Sequence, residues 1–218
     1  MLFTEICAGE DLERRINSSA HGMPGGEILR VIKQMASALE YLHGQSIFHS
    51  DLKPGNILIR SLSPINVVLG DCADIKKMPH RGKLMGTAKF YAPEILQHKR
   101  HMGPPDDVWA LGVSVLGMMG HWPRFILVNN GFRLERDIAE YPHQCWEHAG
   151  ELAELNSGHE IVNLAKKMLA WKAEERPRAG DLVEMAEMAL VKWEWEHGEG
   201  SGELGIIAPA GFAPIEFW

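Results

Sequence analysis

Apolar residues recur at the spacing of an α-helix in the segment 27–43. They stand three or four positions apart, at Ile28, Val31, Ile32, Met35, Leu39 and Leu42. In a helix with 3.6 residues per turn these positions share one face, so the segment is predicted to be an amphipathic helix. Glycines at 25 and 26 precede the stripe and Gly44 follows it, which favours a helix from Glu27 to His43.

Three apolar runs further along the chain are too short to be helices. They are Ile47-Phe48, Ile57 to Ile59 and Val67 to Leu69. Short runs rich in β-branched or aromatic residues, bounded by polar residues or glycine, predict short buried strands. Two polar loops that carry acidic residues, one before Ile57 and one after Leu69, are therefore expected at strand ends.

The second half of the chain returns to a helical pattern. Pro104 and Pro105 mark the start of a helix, because proline suits the first helical turn. The longest apolar stretch, 108–120, is shorter than the roughly 20 residues that cross a bilayer. It therefore predicts a buried helix and no membrane span. Segments 161–171 and 179–195 predict two closing helices, so the expected fold class is mainly α, of the α+β type.

The polar loop before Ile57 carries the most informative chemistry. It places a carboxylate at Asp51, an ammonium at Lys53 and an amide at Asn56 within six residues. Phosphoryl transfer to a hydroxyl uses such a set: a carboxylate for the hydroxyl proton, a cation for the moving phosphoryl group and an oxygen ligand for Mg²⁺. A polar turn before a strand is the simpler interpretation of any one of these residues, but it does not explain the set.

Further segments stand in the order of known protein-kinase motifs. They are Asp71-Cys72-Ala73, Gly86-Thr87 with Ala92-Pro93-Glu94, Asp107 to Gly112, and Arg176-Pro177-Arg178. Together with the loop at 49–56, they give five elements in the family's order and at workable spacings. The chain therefore resembles a eukaryotic-type protein kinase of the serine/threonine-like class, over about residues 1–195. The resemblance implies the large lobe of a kinase, a helical bundle with short β-hairpins at the catalytic and metal loops.

The resemblance also implies roles for the matching residues. Asp51 would accept the proton of the substrate hydroxyl, and Lys53 would offset charge on the phosphoryl group. Asn56 and Asp71 would supply oxygen ligands to Mg²⁺. Thr87 would bond Asp51 and Lys53 and help to select a Ser or Thr substrate. The implied cofactors are ATP and Mg²⁺, and the implied partner is a protein with a Ser or Thr acceptor.

Two more sets of residues are assigned through the same resemblance. Those expected to contact ATP are Glu5, Cys7, Asp11 and Leu58. Those expected to have structural roles are His49, Glu94, Asp107 and Arg176. In the second set, Asp107 would hold the catalytic-loop backbone from beneath, and Glu94 would form a buried ion pair with Arg176.

The sequence departs from the family pattern in several places. Ser50 stands where Arg is usual, and Cys72-Ala73 stand where Phe-Gly is usual. No Gly-rich loop and no strand Lys of the small-lobe type occur before His49. The expected organisation is a small-lobe strand and hinge remnant at 1–12, a kinase large lobe (C-lobe) at 13–196, and a Gly/Pro-rich tail at 197–218.

Three functional hypotheses remain open at this stage, of which a distinct small phosphotransferase is disfavoured because the protein-kinase order is matched throughout. The first is an ATP-dependent protein kinase acting on Ser or Thr, represented here by a truncated domain. The second is a non-catalytic, pseudokinase-like interaction module that binds a protein partner on the exposed surface that normally faces the small lobe. Retention of Asp51, Lys53, Asn56 and Asp71 favours the first hypothesis.

Composition narrows the functional classes and the cellular locations that remain. A formal net charge of −7 argues against a general nucleic-acid binder. The three cysteines are odd in number and far apart, which favours reduced thiols and an intracellular, cytoplasmic location, with the nucleus left open. Basic residues are concentrated between the metal loop and the Ala-Pro-Glu motif, at Lys76, Lys77, Arg81, Lys83 and Lys89. They indicate either a solvated surface or a preference for acidic substrates.

Overall fold

The structure is a computed structural model that describes residues 10–19, 21–78, 86–97, 103–123, 134–198 and 204–209, without the side chains of 74 and 134–137. Most of the described residues lie in helices around one hydrophobic core. The described strands form two small antiparallel sheets of two strands each. The predicted fold class, mainly α with short β-hairpins, is confirmed.

The helices follow the sequence pattern closely in most of the chain. In chain order they are α1 (Leu12–Asn17), α2 (Gly25–Gly44), α3 (Pro93–Leu96), α4 (Pro104–Met118), α5 (Leu134–Leu155), α6 (Glu160–Met168) and α7 (Ala179–His197). The helix predicted over 27–43 is α2, slightly longer at both ends. The two predicted closing helices correspond to α6 and α7, and the helix predicted to start at the two prolines is α4, whereas α1, α3 and α5 were not predicted from the sequence.

Helix α4 lies at the centre of the core. Every residue from Asp106 to Met118 is buried, as expected of a helix that is apolar on nearly all sides. Gly112 allows the end of α6 to approach closely, because a Cβ at this position would lie 2.9 Å from Leu169 Cγ. The first turn of α4 reaches the catalytic-type loop, and it carries Asp107 beneath that loop.

The long helices α2 and α7 pack side by side. At the start of α2, Gly25 leaves space that the indole of Trp193 fills, and any side chain there would overlap the ring. Ion pairs between Arg30 and Glu194 and between Lys33 and Glu187 lie at the edge of this contact. Because partly exposed pairs contribute at most about 1 kcal/mol, apolar packing provides most of the stability of this interface.

The strands bring the two predicted acidic loops together. They are β1 (Ile47–Phe48), β2 (Ile57–Leu62), β3 (Ile65–Leu69) and β4 (Lys76–Lys77). Strands β2 and β3 form an antiparallel hairpin in which Ile57 lies opposite Leu69, and β1 pairs with β4. The loop that enters β2 and the loop that leaves β3 therefore lie side by side at the same end of the hairpin.

Part of the C-terminal segment lies against the domain. Ile207 donates its backbone N–H to Asn156 Oδ1 at 2.7 Å, and Asn156 Nδ2 donates to the Ile207 carbonyl at 3.0 Å. The Leu204 carbonyl lies 2.9 Å from His159 Nε2, and the Leu204 side chain packs on the core. Residues 204–209 thus continue the domain surface beyond the end of α7.

Among the described residues, none of the helices combines the length and the apolar character that crossing a bilayer requires.

Candidate active site

The loop between β1 and β2 is held from below by Asp107. This buried carboxylate accepts the backbone N–H groups of His49 at 2.9 Å and Ser50 at 3.0 Å. His43, near the end of α2, places Nε2 2.9 Å from the same carboxylate. Ser50 has a left-handed backbone with a φ of 66°, which is uncommon for a residue with a side chain. The hydrogen bonds from Asp107 therefore stabilise a loop shape that would otherwise be unfavourable.

The catalytic-type loop is also tied to the loop after β3. His49 is fully buried, and its Nε2 lies 2.9 Å from the Gly70 carbonyl. The Gly70 N–H donates to the Asn56 carbonyl at 2.7 Å, which continues the β2–β3 pairing by one step. Asp71, the next residue, therefore begins its loop beside Asn56.

Asp51 is the centre of a compact hydrogen-bond cluster. Its Oδ1 accepts from the backbone N–H and from the Oγ1 of Thr87, both at 2.9 Å. Its Oδ2 accepts from Lys53 Nζ at 2.8 Å, and Lys53 Nζ also donates to Thr87 Oγ1 at 2.8 Å. The carboxylate is fixed in orientation while its side chain stays 10% exposed, so a small polar group can still reach it.

Asn56 and Asp71 supply the oxygen atoms that suit a hard cation. Asn56 Nδ2 donates to the Asp51 carbonyl at 2.8 Å and to Asp51 Oδ2 at 3.2 Å, which leaves the amide oxygen Oδ1 for a ligand. Asp71 is exposed and has a left-handed backbone with a φ of 51°. The described residues contain no group of three or more His, Cys, Asp or Glu placed to hold a metal ion. One carboxylate and one amide fit Mg²⁺ that takes its remaining ligands from phosphates and water.

The residues predicted to contact ATP are only partly described. Glu5 and Cys7 lie outside the described residues. Asp11 caps the N-terminus of α1 by accepting the Arg14 N–H at 2.9 Å, and its backbone bridges to Leu58. Leu58 is half-buried on β2, with its side chain against Gly70. Asp11 and Leu58 therefore lie beside each other, next to the loop that carries Asp71.

Comparison with known proteins decides the family. A family model described as the protein kinase domain matches residues 1–186. The chain belongs to the protein kinase family. The resemblance inferred from the motifs is thereby confirmed.

Curated protein kinases resemble the middle of the chain. Sperm motility kinase 2B of Mus musculus is 34% identical over 119 residues, which cover 54% of this chain and 24% of the relative. Serine/threonine-protein kinase grp of Drosophila melanogaster is 34% identical over 122 residues, covering 54% of this chain and 23% of the relative. Striated muscle preferentially expressed protein kinase of Danio rerio is 32% identical over 128 residues, only 4% of its length. The chain spans a quarter or less of the length of these three relatives.

An ion pair with a buried arginine holds Glu94 of the Ala-Pro-Glu motif, where the kinase activation segment ends. Arg176 donates from Nη1 to Glu94 Oε1 at 2.6 Å and from Nη2 to Glu94 Oε2 at 2.8 Å, a bidentate arrangement. The same guanidinium donates to the carbonyls of Ala170, Pro105 and Trp171 at 2.9, 3.0 and 3.2 Å. It also lies 4.8 Å from the centre of the Trp109 ring. The pair joins α3 to the start of α4 and to the segment before α7.

A third titratable group, which the sequence did not point to, completes this ion pair. Asp106 is buried beside Glu94 and accepts the Gly103 N–H at 2.7 Å. Burial raises the pKa of Asp106 well above its usual range, and the neighbouring Glu94 carboxylate raises the pKa further. Burial alone would raise the pKa of Glu94 as well, but the hydrogen bonds and charge of Arg176 outweigh burial and lower it. Asp106 therefore keeps its proton to higher pH than an ordinary carboxyl group, whereas Glu94 loses its proton at lower pH.

The raised pKa of Asp106 makes the stability of the kinase fold decrease as the pH rises. A raised pKa contributes stability that is fully present below the usual value of 3.8 and is lost as the pH rises through the folded-state pKa. Within that window the folded protein holds one more proton, so the free energy of unfolding falls by about 1.4 kcal/mol per pH unit. Asp106→Asn can still accept from Gly103 and donate to Glu94, and it has no proton to lose. Urea unfolding of both proteins from about pH 4 to about pH 8 is expected to show the variant gaining stability relative to the native chain.

A constant difference in stability between the two proteins over that pH range would contradict a raised pKa of Asp106. Glu94 acts at the acidic end in both proteins, because a lowered pKa contributes stability that is lost as the pH falls. Its contribution therefore changes the free energy of unfolding of both proteins alike, and it has less effect on the difference between them.

Proposed function

We propose that the chain carries the catalytic half of a protein kinase that transfers the γ-phosphoryl group of Mg·ATP to Ser or Thr residues of proteins. The observation that carries this proposal is the cluster of Asp51, Lys53 and Thr87, with Asn56 donating to the same carboxylate. A carboxylate fixed from both sides and still partly exposed is suited to orient a hydroxyl and accept its proton. The names of the curated relatives, which include serine/threonine-protein kinase grp, support the same class.

Each residue of the cluster has a distinct task in the proposed reaction. Asp51 orients the acceptor hydroxyl and takes its proton as the oxygen attacks. Lys53 is held by both Asp51 and Thr87, so its ammonium stays beside the site where negative charge increases on the transferred group. Bound Mg²⁺ would supply charge neutralisation between the phosphates, with Asn56 and Asp71 as its protein ligands.

Residues 1–218 contain no Gly-rich loop and no strand Lys of the kind that position phosphates in other kinases. Positioning accounts for much of the rate that a kinase achieves. We therefore propose that the isolated chain binds Mg·ATP weakly and transfers phosphoryl groups slowly. Binding and transfer would depend on the cluster around Asp51 and on Asn56 and Asp71. The free thiols of Cys72 and Cys145 support an intracellular, cytoplasmic place of action.

Replacement of Asp71 by Asn tests metal-dependent nucleotide binding. We expect Asp71→Asn to weaken Mg²⁺-dependent binding of ATP by about tenfold or more, because a hard cation loses its charged ligand. The effect should disappear when Mg²⁺ is removed with a chelator. Isothermal titration of the two proteins, with and without Mg²⁺, measures both quantities.

Glu154→Gln is a suitable control for the Asp71 variant, because it removes one negative charge from an exposed position on α5, far along the chain from the loop. It is expected to bind Mg·ATP as the native chain does. Equal binding by the native chain and Asp71→Asn would remove metal-dependent ATP binding from the proposal.

A second function is favoured by one feature of the β2–β3 hairpin. Leu58 and Val68 are paired across the hairpin, and both are half-buried rather than buried. This is the surface expected to face the small lobe, and an apolar surface of this kind can bind a partner protein. Absence of Mg·ATP binding, together with a partner protein that binds at Leu58, would favour a non-catalytic interaction module.

A further inference from the structure

Lys89 occupies an unusual position close to the candidate catalytic cluster. It lies in the single 3₁₀ turn Ala88–Phe90, two residues after Thr87. Its Nζ sits 3.3 Å from the centre of the Trp122 ring, above the face of the indole. The sequence grouped Lys89 with a basic, solvated segment, but the structure instead places its side chain in a half-buried position against α5 and the turn that follows α4.

The positive charge of the Lys89 ammonium is offset only weakly by the described groups around it. In the part of the chain that the structure describes, its Nζ contacts the indole, and no carboxylate lies within ion-pair distance of it. Burial lowers the pKa of Lys89 from 10.5 to about 8, and this effect outweighs the opposing effects of nearby Cys145 and Glu13. A half-buried ammonium without a contacting anion is costly, so an incoming anion would gain more here than at a solvated lysine.

Among the described residues, the two titratable groups closest in effect to Lys89 do not provide that anion. The Cys145 thiol is fully buried, and burial raises its pKa to about 12, so it is neutral at physiological pH. Glu13 is exposed at the start of α1, where its Oε2 lies 3.0 Å from the position that a Cβ on Gly55 would occupy. Its carboxylate therefore lies beside the catalytic loop rather than in contact with Lys89.

We propose that Lys89, supported by the Trp122 ring, forms a subsite that binds an acidic side chain of the protein substrate. This inference rests on the proposed function, because it takes the acceptor hydroxyl to bind at Asp51. The indole face stabilises the ammonium without neutralising it, which leaves the charge available to an Asp or Glu carboxylate. Lys89 is a specificity residue in this proposal and takes no part in phosphoryl transfer.

The position of Lys89 limits where the acidic residue can stand in the substrate. Thr87 contacts Asp51 directly, and residues 87 to 89 span at most about 7 Å. With the length of a lysine side chain added, the ammonium lies within about 15 Å of the catalytic carboxylate. An extended peptide covers about 3.3 Å per residue, so the acidic residue is expected within about five residues of the acceptor.

Binding of short peptides to the full 218-residue chain tests the subsite directly. The probes are fluorescein-labelled peptides of about eleven residues, with a central Ser in an Ala/Gly background and a single Glu moved from position to position. Fluorescence anisotropy measures their dissociation constants in the presence of Mg²⁺ and a non-hydrolysable ATP analogue. The native chain is expected to bind the best Glu peptide about tenfold more tightly than the all-Ala/Gly peptide, a preference that Lys89→Gln should abolish.

Matched variants distinguish the subsite from a structural role of Lys89. Lys77→Gln removes a positive charge from an exposed position on β4 and is expected to keep the preference. Lys89→Arg should keep it as well, whereas Lys89→Glu should exchange it for a preference for a Lys peptide. Reversal of the preferred charge cannot arise from loss of stability alone. The thermal unfolding of each variant is recorded beside the binding data.

Binding and phosphorylation of the same peptides separate the two proposals. Equal binding of Glu and Ala/Gly peptides by the native chain, or an unchanged preference in Lys89→Gln, would overturn the subsite even if the peptides are phosphorylated. A preference for Glu that depends on Lys89, without phosphorylation of any peptide, would support the subsite and overturn the proposed function.

Discussion

Replacement of Arg176 by Met is expected to lower the free energy of unfolding by about 3–5 kcal/mol. The guanidinium is fully buried and donates to both oxygens of Glu94 and to three backbone carbonyls. Met has a similar length but no donors, so Glu94 would be left as a largely buried carboxylate without its partner. The three carbonyls would also lose a hydrogen bond that water does not replace. Urea unfolding at neutral pH measures this effect.

A second ion pair provides a control for the Arg176 variant. Lys172 donates to Glu175 at 2.9 Å, but the lysine side chain is 64% exposed. Lys172→Met is expected to change the free energy of unfolding by less than about 1 kcal/mol, because exposed ion pairs contribute little. If Arg176→Met were destabilised no more than Lys172→Met, the Glu94–Arg176 pair would not be the structural link that its geometry indicates.

The sequence predicted those elements whose stability depends on neighbours close in the chain. Helix α2 has an uninterrupted apolar stripe and glycines at both ends, so its limits were predicted almost to the residue. The short strands flanking the two polar loops were also found, because each ends at glycine or polar residues. The kinase motifs added the order of the site residues, which periodicity alone does not give.

Helix α5 was missed for a physical reason. Its buried positions are spaced as in a helix, but they include Tyr141, Cys145 and His148, which a hydrophobicity pattern does not count as strongly apolar. Pro142 also lies inside the helix and normally indicates a boundary. Packing against the rest of the core stabilises this helix despite its weak local pattern.

Charge placement at the site could not be predicted from sequence either. Asp106 and Asp107 are adjacent in the first turn of α4, where acidic residues are common. Only the fold separates their roles, since Asp107 accepts backbone N–H groups of the catalytic-type loop, whereas Asp106 lies buried beside Glu94, where its pKa is raised. The location of Lys89 above Trp122 likewise depends on a contact between distant parts of the chain.

Asp51→Asn is expected to reduce the rate of phosphoryl transfer by about 10²–10⁴-fold. Asn can still accept the hydrogen bonds of Thr87 through one oxygen, but it has no basic site for the hydroxyl proton. Its amide would also face the Lys53 ammonium with a donor instead of an acceptor, so Lys53 would lose its anchor on that side. The rate is measured in single-turnover reactions with saturating Mg·ATP and a Ser-centred peptide. Peptide binding should change little, because the proton is transferred only in the chemical step.

Thr87→Ser is the matched control for this variant, because it keeps the hydroxyl that donates to Asp51 and accepts from Lys53. It is expected to retain most of the native rate, within about threefold. Thr87→Val removes the hydroxyl while keeping the shape of the side chain. Its rate of phosphoryl transfer should lie between those of Thr87→Ser and Asp51→Asn. If Asp51→Asn kept more than about a tenth of the native rate, Asp51 would not act as the general base. The cluster would then have a structural role only, because its hydrogen bonds would hold the loop without accepting the substrate proton.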